Sequence, residues 1–283
     1  MVEARKKGVT MEINTDLTYA LPEYPIFKQK LIRSIENMSG KKKIEQLYRM
    51  IPEDHAGKAS FFGEAFKLLR VQIDYNRDQL EKIPETGPLV FIANHPFGVL
   101  DGMFLCYLGA MSRPNWGTLV YDKFAEIDHL SSHLLPIAFE ESEQAIQLNI
   151  GTKNKAMELL KNNGAVIIFP AGGIAKATGF RGPITDTDWK LFAAKMIQLT
   201  QATVVPVFFH GNNSRLFHTV SQFSQTLRLA LIINELRNKI GKSIRVTIGD
   251  PLPYGELSAI RKRQALLDHL RDHTYRLAYQ TKN

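Results

Sequence analysis

The first 70 residues show a helical pattern of apolar and polar positions. Apolar side chains recur three or four positions apart over residues 24–37, 41–50 and 60–69, which is the spacing of one face of a helix. No strong strand signal interrupts these segments. The pattern predicts that residues 1–70 form an N-terminal helical cap or membrane-associating arm.

From about Val71 the pattern changes to short runs rich in β-branched and aromatic residues, alternating with helical stretches. This alternation is typical of α/β domains. For residues 71–283 it predicts one α/β domain, with a central mixed, largely parallel sheet flanked by helices. The candidate strands are residues 88–93, 117–121, 135–139, 165–169, 203–209 and 244–248, and the candidate helices are residues 101–111, 152–162, 186–201, 223–239 and 256–279.

Polar residues follow the first buried run of this domain. Asn94 and His95 come directly after it, and Asp101 stands six positions beyond His95, before an apolar helix. The carboxyl end of a strand is a usual place for a site in α/β sheets. A histidine can accept a proton near neutral pH, and a carboxylate within reach can orient its ring. The residues alone also allow a plain loop histidine, with Asp101 capping the helix.

The segment Asn94-His-Pro-Phe-Gly-Val-Leu-Asp-Gly102 resembles the first block of the glycerolipid or lysophospholipid acyltransferase superfamily, which includes 1-acylglycerol-3-phosphate acyltransferases. That block has four residues between His and Asp, whereas five stand here. The longer form is similar to the hemolysin-like or amino-acid-lipid O-acyltransferase branch, and Gly98 would let the longer loop close. Two later segments also resemble the family: Ile167-Ile-Phe-Pro-Ala-Gly-Gly173 is similar to its Phe-Pro-Glu-Gly-Thr block, and Val204-Val-Pro-Val-Phe-Phe-His-Gly211 to its fourth block.

The resemblance implies an O-acyltransferase of membrane lipid synthesis. Such an enzyme moves a fatty acyl chain from a thioester of acyl carrier protein or coenzyme A to the hydroxyl of a lysolipid. His95 would be the general base and Asp101 its orienter, with no cofactor beyond the donor and no metal. The residues expected to contact substrate are Asn94, Phe97, Gly98, Phe169, Pro170, Gly172, Gly173, Lys176 and Arg181.

The acceptor implied by the resemblance depends on one lost arginine. The arginine that usually follows the Phe-Pro block falls on Ile174, and the nearest cations are Lys176 and Arg181. Arginine is the residue suited to bidentate phosphate recognition. Its loss weakens the case for lysophosphatidic acid, and the branch similarity favours a lyso-amino-acid lipid, a hydroxyacyl chain amide-linked to ornithine or glycine.

Charge and composition narrow the partners. A net charge of +8 predicts an anionic partner, such as acidic acyl carrier protein or an anionic membrane surface. No apolar run reaches the ~18–20 residues of a membrane span, and the one cysteine, Cys106, reads as core packing. We therefore expect a cytoplasmic protein, peripheral on the inner face of the cell membrane. Residues 223–239 fit an interfacial helix or a core helix with a basic edge.

Other functions stay open at this stage. The chain lacks Gly-x-Ser-x-Gly, Walker and Gly-x-Gly-x-x-Gly motifs, which argues against the usual serine hydrolase, P-loop and dinucleotide classes. The basic clusters at residues 5–7 and 41–43 leave a nucleic-acid-binding protein as one alternative, though none is expected as a partner. A non-catalytic lipid-binding protein or a lipid hydrolase is another. The pairs His129/His133 and His269/His273 have helical spacing, but neither has the Glu of the His-Glu-x-x-His metal motif. The charged neighbours of His269 and His273 are typical of a solvated helix face, and no metal is expected.

Overall fold

The central element of the fold is a seven-stranded sheet. The structure, a computed structural model, describes residues 18, 20, 24–52, 55, 58–122, 128–179 and 182–280. Its strands are β1 (Gln72–Tyr75), β2 (Leu89–Ala93), β3 (Trp116–Tyr121), β4 (Leu134–Ile137), β5 (Ala165–Ile168), β6 (Lys176–Ala177), β7 (Ile184–Thr185), β8 (Thr203–Phe209) and β9 (Ser243–Ile248). The sheet order is β1-β9-β8-β2-β5-β3-β4, while β6 and β7 form a separate ribbon. Every neighbouring pair in the large sheet is parallel except β8 and β9, so the expected mixed, largely parallel sheet is confirmed.

Helices cover both faces of the sheet. They are α1 (Ile26–Met38), α2 (Lys41–Arg49), α3 (Ala59–Leu68), α4 (Val99–Ser112), α5 (Glu143–Lys161), α6 (Phe192–Thr200), α7 (Arg215–Phe223), α8 (Gln225–Ala230), α9 (Ile232–Lys239), α10 (Tyr254–Leu257) and α11 (Arg263–Arg276). Short 3-10 helices lie at Arg77–Lys82, Asp128–His133 and Leu277–Tyr279. No helix in the described ranges is both long enough and apolar enough to cross a membrane.

The side chains of β2 alternate between two apolar layers. Phe91 packs in the layer formed with α3, α4 and α9, whereas Ile92 packs in the layer formed with α5, α6 and α11. All five residues of β2 are buried. Because helices cover both faces, this strand is a continuous apolar run rather than an alternating one. Its carboxyl end is consequently held on a rigid part of the molecule.

A third apolar cluster, which we call the cap cluster, joins the N-terminal helix to the later helices. Its members are Ala20, Ile32, Ile174, Phe217, Ala230 and Ile232. Ile32 comes from α1, Phe217 from α7 and Ala230 from α8, so these three helices pack together. Ile174 follows the Phe-Pro segment after β5, and the cap cluster therefore lies against that segment.

Several of the predicted helices have different boundaries in the structure. The helix predicted over 152–162 begins earlier, at Glu143, and the helix predicted over 256–279 is divided into α10, α11 and a 3-10 helix. The segment 223–239 is interrupted, because Ser224 is extended (φ −151°) and its hydroxyl caps α8 by accepting from the N–H of Leu227. In α9 the apolar residues Ile232, Ile233 and Leu236 are buried, so this part is a core helix and not an interfacial one. The helix expected over 186–201 begins only at Phe192.

Candidate active site

Three neighbouring strands end at the same edge of the sheet. β2 is paired in register with β5 on one side and β8 on the other. His95 follows β2, Phe169 follows β5 and His210 follows β8. The predicted histidine therefore lies at the carboxyl edge of the sheet, beside the Phe-Pro segment that stands 74 positions later.

His95 and Asp101 lie side by side at this edge. Nδ1 of His95 is 3.1 Å from Oδ2 of Asp101. The distance is that of an ion pair, but the two groups do not meet the angular requirement of a hydrogen bond. The Asp101 side chain is fully buried, whereas that of His95 is 16% exposed. The ring therefore contacts a buried carboxylate on one side and can be reached from outside.

Backbone amides hold the Asp101 carboxylate in place. Its Oδ2 accepts from the N–H of Phe97 at 2.9 Å, and its Oδ1 accepts from the N–H of Gly102 at 3.0 Å. Asp101 also lies in the first turn of α4, where a negative charge interacts favourably with the helix dipole. Asp101 therefore both stabilises the start of α4 and faces His95. The helix-capping position and the position of an orienter, which the sequence left as alternatives, are combined in one residue.

Gly98 explains how a loop with an extra residue can close. Its backbone has φ +91°, a value that side-chain-bearing residues rarely adopt. A Cβ at this position would also stand 2.7 Å from Cδ1 of Ile174. The positive φ favours glycine here, a Cβ would also force the end of the Ile174 side chain to move, and the loop returns Asp101 to the ring of His95.

His95 is fixed on its other sides as well. Its ring stacks on Phe169, with centroids 3.9 Å apart and planes 26° from parallel. Its backbone N–H donates to Oδ1 of Asp186 at 3.0 Å, and its carbonyl accepts from the N–H of Ala175 at 2.8 Å. Oδ2 of Asp186 accepts from the indole N–H of Trp189, and burial raises the pKa of Asp186. These contacts leave the imidazole little freedom to turn.

Two residues expected to contact substrate are engaged in structural contacts. The side-chain amide of Asn94 donates to the carbonyl of Phe209 at 3.0 Å and accepts from its N–H at 2.8 Å, joining the end of β2 to the end of β8. Phe97 is buried, and Nζ of Lys239 lies 4.6 Å from its ring centroid. Burial lowers the pKa of that lysine.

The Phe-Pro-Ala-Gly-Gly segment forms a tight turn beside His95. The carbonyl of the buried Pro170 accepts from the N–H of Lys190. Gly172 has φ +72°, and its N–H donates to the carbonyl of Phe169 at 2.9 Å, which closes the turn. Gly173 is exposed, and its N–H has no partner in the described part of the chain. Of the two glycine amides, that of Gly173 is the one open to a ligand.

The two cations expected to contact substrate are Lys176 and Arg181, and the structure adds a third, Arg228, that the sequence analysis did not identify. Lys176 is exposed in β6, next to this turn, whereas Arg181 lies outside the described residues. Arg228 is buried in α8 and donates to the carbonyl of Ile174 at 2.5 Å. Neither Arg228 nor Asp186 was singled out from the sequence. A charged residue inside the apolar run Leu227-Arg-Leu-Ala230 was the available signal for the arginine.

Other polar features lie apart from this edge. Nδ1 of His133 is 2.9 Å from the carbonyl of Trp116, and the two rings stack. A cleft of about 320 Å³ that includes these two residues lies near the start of β3, at the opposite end of the sheet. The rings of His269 and His273 are 6.3 Å apart, and the side chain of His129 lies outside the described set. Within the described ranges, no three His, Cys, Asp or Glu residues are grouped as metal ligands.

Comparison with known proteins identifies the family. The chain is 28% identical to a lyso-glycine lipid O-acyltransferase of Phocaeicola vulgatus over 211 residues, which cover 70% of this chain and 71% of that protein. It is also 28% identical to a lyso-glycine lipid O-acyltransferase of Bacteroides thetaiotaomicron, over 70% of this chain and 73% of the relative. The crystal structure of the 1-acyl-sn-glycerophosphate acyltransferase PlsC of Thermotoga maritima aligns with 88% of this chain and 87% of its own at 14% identity, with a TM-score of 0.49. The profile of the acyltransferase family matches residues 20–282, nearly the whole chain, and the protein therefore belongs to the acyltransferase family.

Proposed function

We propose that this O-acyltransferase moves a fatty acyl chain from an acyl thioester to the hydroxyl of a lyso-amino-acid lipid. The observation that carries the chemistry is the contact of 3.1 Å between His95 and the buried Asp101 at the carboxyl edge of the sheet. The two relatives support this acceptor class, since both are named for a lyso-glycine lipid. A glycine headgroup is therefore our first candidate, ahead of ornithine.

In this mechanism His95 is the general base. Because Asp101 faces Nδ1, the ring proton resides on Nδ1 and Nε2 is free to accept a proton. The acceptor hydroxyl loses its proton to Nε2 as its oxygen bonds to the thioester carbon. The tetrahedral intermediate then collapses, the carbon–sulfur bond breaks, and the thiolate takes the proton from the imidazolium. Since a thiol has a pKa of about 8.5, its departure needs little acid assistance.

The intermediate also needs a donor for its negatively charged oxygen. We assign this role to the N–H of Gly173, which is exposed beside the Phe169 ring that stacks on His95. Removing one such donor from an enzyme typically costs about 100-fold to 1000-fold in turnover. The amide of Gly172 already donates within the turn and plays a structural part here.

The donor and the membrane form part of the same proposal. With a net charge of +8 the chain is suited to acidic acyl carrier protein or to the phosphates of coenzyme A. Exposed apolar side chains stand on two helices of the cap cluster: Phe27 on α1 is 74% exposed and Phe223 on α7 is 73% exposed. We propose that α1 and α7 dock on the inner leaflet, from which both lipid substrates reach His95.

An acceptor panel tests the proposal. Purified protein is supplied with acyl carrier protein or coenzyme A thioesters, and the acceptors are lyso-glycine lipid, lyso-ornithine lipid and lysophosphatidic acid. Mass spectrometry of the products should show a new ester on the lyso-glycine lipid. Acylation of lysophosphatidic acid alone would contradict the acceptor, and release of free fatty acid without any ester product would indicate a hydrolase.

A further inference from the structure

The structure contains a buried arginine that has no acidic partner. Arg228 is 5% exposed, and its guanidinium donates a hydrogen bond to a neutral group, the carbonyl of Ile174. No carboxylate lies within ion-pair distance of it in the described part of the chain. Glu235, a buried acid of the neighbouring α9, accepts instead from the N–H and the hydroxyl of Ser214.

The charge of Arg228 has no counter-charge among its contacts with the described residues. A buried charge without a partner of opposite sign is destabilising in a protein. The guanidinium carbon of Arg228 lies 5.6 Å from the centroid of Phe217, a cation–π contact that favours the cation. This contact and the hydrogen bond to a neutral carbonyl bring no negative charge to the guanidinium, and an anion would complete the site.

Two further nitrogen-bearing side chains lie close enough to Arg228 for its charge to affect their pKa values. Partial burial and the positive charge of Arg228 lower the pKa of Lys176, which is exposed overall. His218 is 4% exposed, and neither of its ring nitrogens has a hydrogen-bond partner. Burial and the charge of Arg228 lower the pKa of His218, while Glu235 acts in the opposite direction. Three groups able to donate hydrogen bonds thus lie near one another, and the nearby acid Glu235 accepts from Ser214 rather than from any of them.

This cluster adjoins the loop of the catalytic histidine. Three consecutive residues join the two places. The carbonyl of Ile174 accepts from Arg228, and the N–H of Ala175 donates to the carbonyl of His95. The next residue is Lys176. Ile174 also touches the space that a Cβ on Gly98 would fill. An anion bound by Arg228 and Lys176 would therefore lie beside the site of acyl transfer.

We propose that Arg228 and Lys176, with His218 as a further donor, bind the carboxylate of the acceptor lipid and so select an acceptor with an anionic headgroup. The inference rests on the proposed function and names the residues that recognise its substrate. A phosphate of the thioester donor has the same chemistry, but the pantetheine arm holds it far from the reacting sulfur. The carboxylate of an N-acyl amino acid is close to the part of the molecule that must reach His95.

Equilibrium binding tests the inference without requiring acyl transfer. The probes are N-dodecanoylglycine, which has the carboxylate but no hydroxyl, and its methyl ester, each titrated into the full chain by calorimetry. Wild type should bind the acid at least tenfold more tightly than the ester, the effect of about 1.4 kcal/mol or more expected for a charge-assisted contact. Arg228→Met and Lys176→Met should each weaken binding of the acid about tenfold and leave binding of the ester unchanged. Lys195→Met, on the exposed surface of α6, is the matched control and should bind both probes as wild type does.

Three results would overturn the inference. The first is equal binding of acid and ester by wild type. The second is an equal loss of binding for both probes in Arg228→Met and Lys176→Met. The third is an increase, in these two variants, of the KM for acyl-coenzyme A but not of the KM for a simple acyl-pantetheine. The last result would assign the cations to a donor phosphate. Lys176→Met keeps the test valid if Arg228→Met fails to fold, because Lys176 is exposed. The two proposals can fail separately. If no acceptor in the panel is acylated but wild type still binds the acid more tightly than the ester, the proposed function is refuted and the carboxylate site is not.

Discussion

The Asp101 carboxylate makes three contacts that no neutral side chain could make together. One oxygen accepts from the amide of Gly102, and the other accepts from the amide of Phe97 while facing Nδ1 of His95. Two backbone donors orient the carboxylate before any substrate arrives. The imidazole is therefore positioned by an acid that is itself positioned by the start of α4.

Asp101→Asn is expected to lower kcat by roughly 100-fold or more, within the range of a lost general-base arrangement, while KM changes far less. The reason is that the amide NH₂ would face either Nδ1–H or a backbone N–H, donor against donor. Steady-state kinetics measured across pH checks this expectation. Asp268→Asn is the matched control, because Asp268 is exposed on α11 and its loss should leave kcat unchanged. A kcat near that of wild type in Asp101→Asn would mean that His95 needs no orienter.

At the scale of elements, the strand that carries the site was predictable and the helices around it were less so. The apolar run of β2 reads as a strand because both faces are covered, and its boundaries agree within one residue of residues 88–93. Ser224 gave no clear sign that it would end α7 and cap α8, since serine is tolerated inside helices as well as at caps. Strand β1 was missed because Gln72–Tyr75 is short and half-exposed.

The site shows the same contrast between local and distant residues. His95 and Asp101 stand in one loop, so a single motif reveals both. Arg228 reaches Ile174 across 54 positions of chain, and Asp186 reaches the backbone of His95 across 91. Sequence periodicity carries no information on such contacts, which depend on how the strands and the cap cluster come together.

The exposed apolar residues of α1 and α7 lead to a prediction for these two helices. Phe27→Ser and Phe223→Ser should each weaken association of the full chain with anionic vesicles by about tenfold, since burial of one Phe contributes about 1.5–3 kcal/mol. Raised salt should weaken the binding of wild type to the vesicles, because the net charge of +8 contributes attraction to the anionic surface. Vesicle co-sedimentation measures both effects.

Leu199→Ser is the matched control for the vesicle experiment. Leu199 is 53% exposed on α6. This helix belongs to the apolar layer formed with α5 and α11, not to the cap cluster. Its substitution should leave vesicle binding unchanged. Equal losses in all three variants would show that exposed apolar surface anywhere on the chain suffices, and would contradict docking through α1 and α7.

For the molecule as a whole, the sheet supplies a rigid edge and the cap cluster lies beside the proposed substrate site. The ends of β2 and β5 bring His95 against Phe169, and the hydrogen bonds of Asn94 join the end of β2 to the end of β8. The cap cluster places α1, α7 and α8 against Ile174, beside that edge. This arrangement brings the proposed membrane-facing helices, the proposed carboxylate site and the loop of His95 into one region.

The most direct test of the account is the turnover of His95→Ala with an acyl thioester and lyso-glycine lipid. The account predicts that kcat falls about 100-fold to 10,000-fold, the contribution of a general base, while thermal stability stays close to that of wild type. His269→Ala, an exposed histidine on α11, should turn over normally. Undiminished acyl transfer by a folded His95→Ala protein would contradict the central claim that His95 removes the acceptor proton.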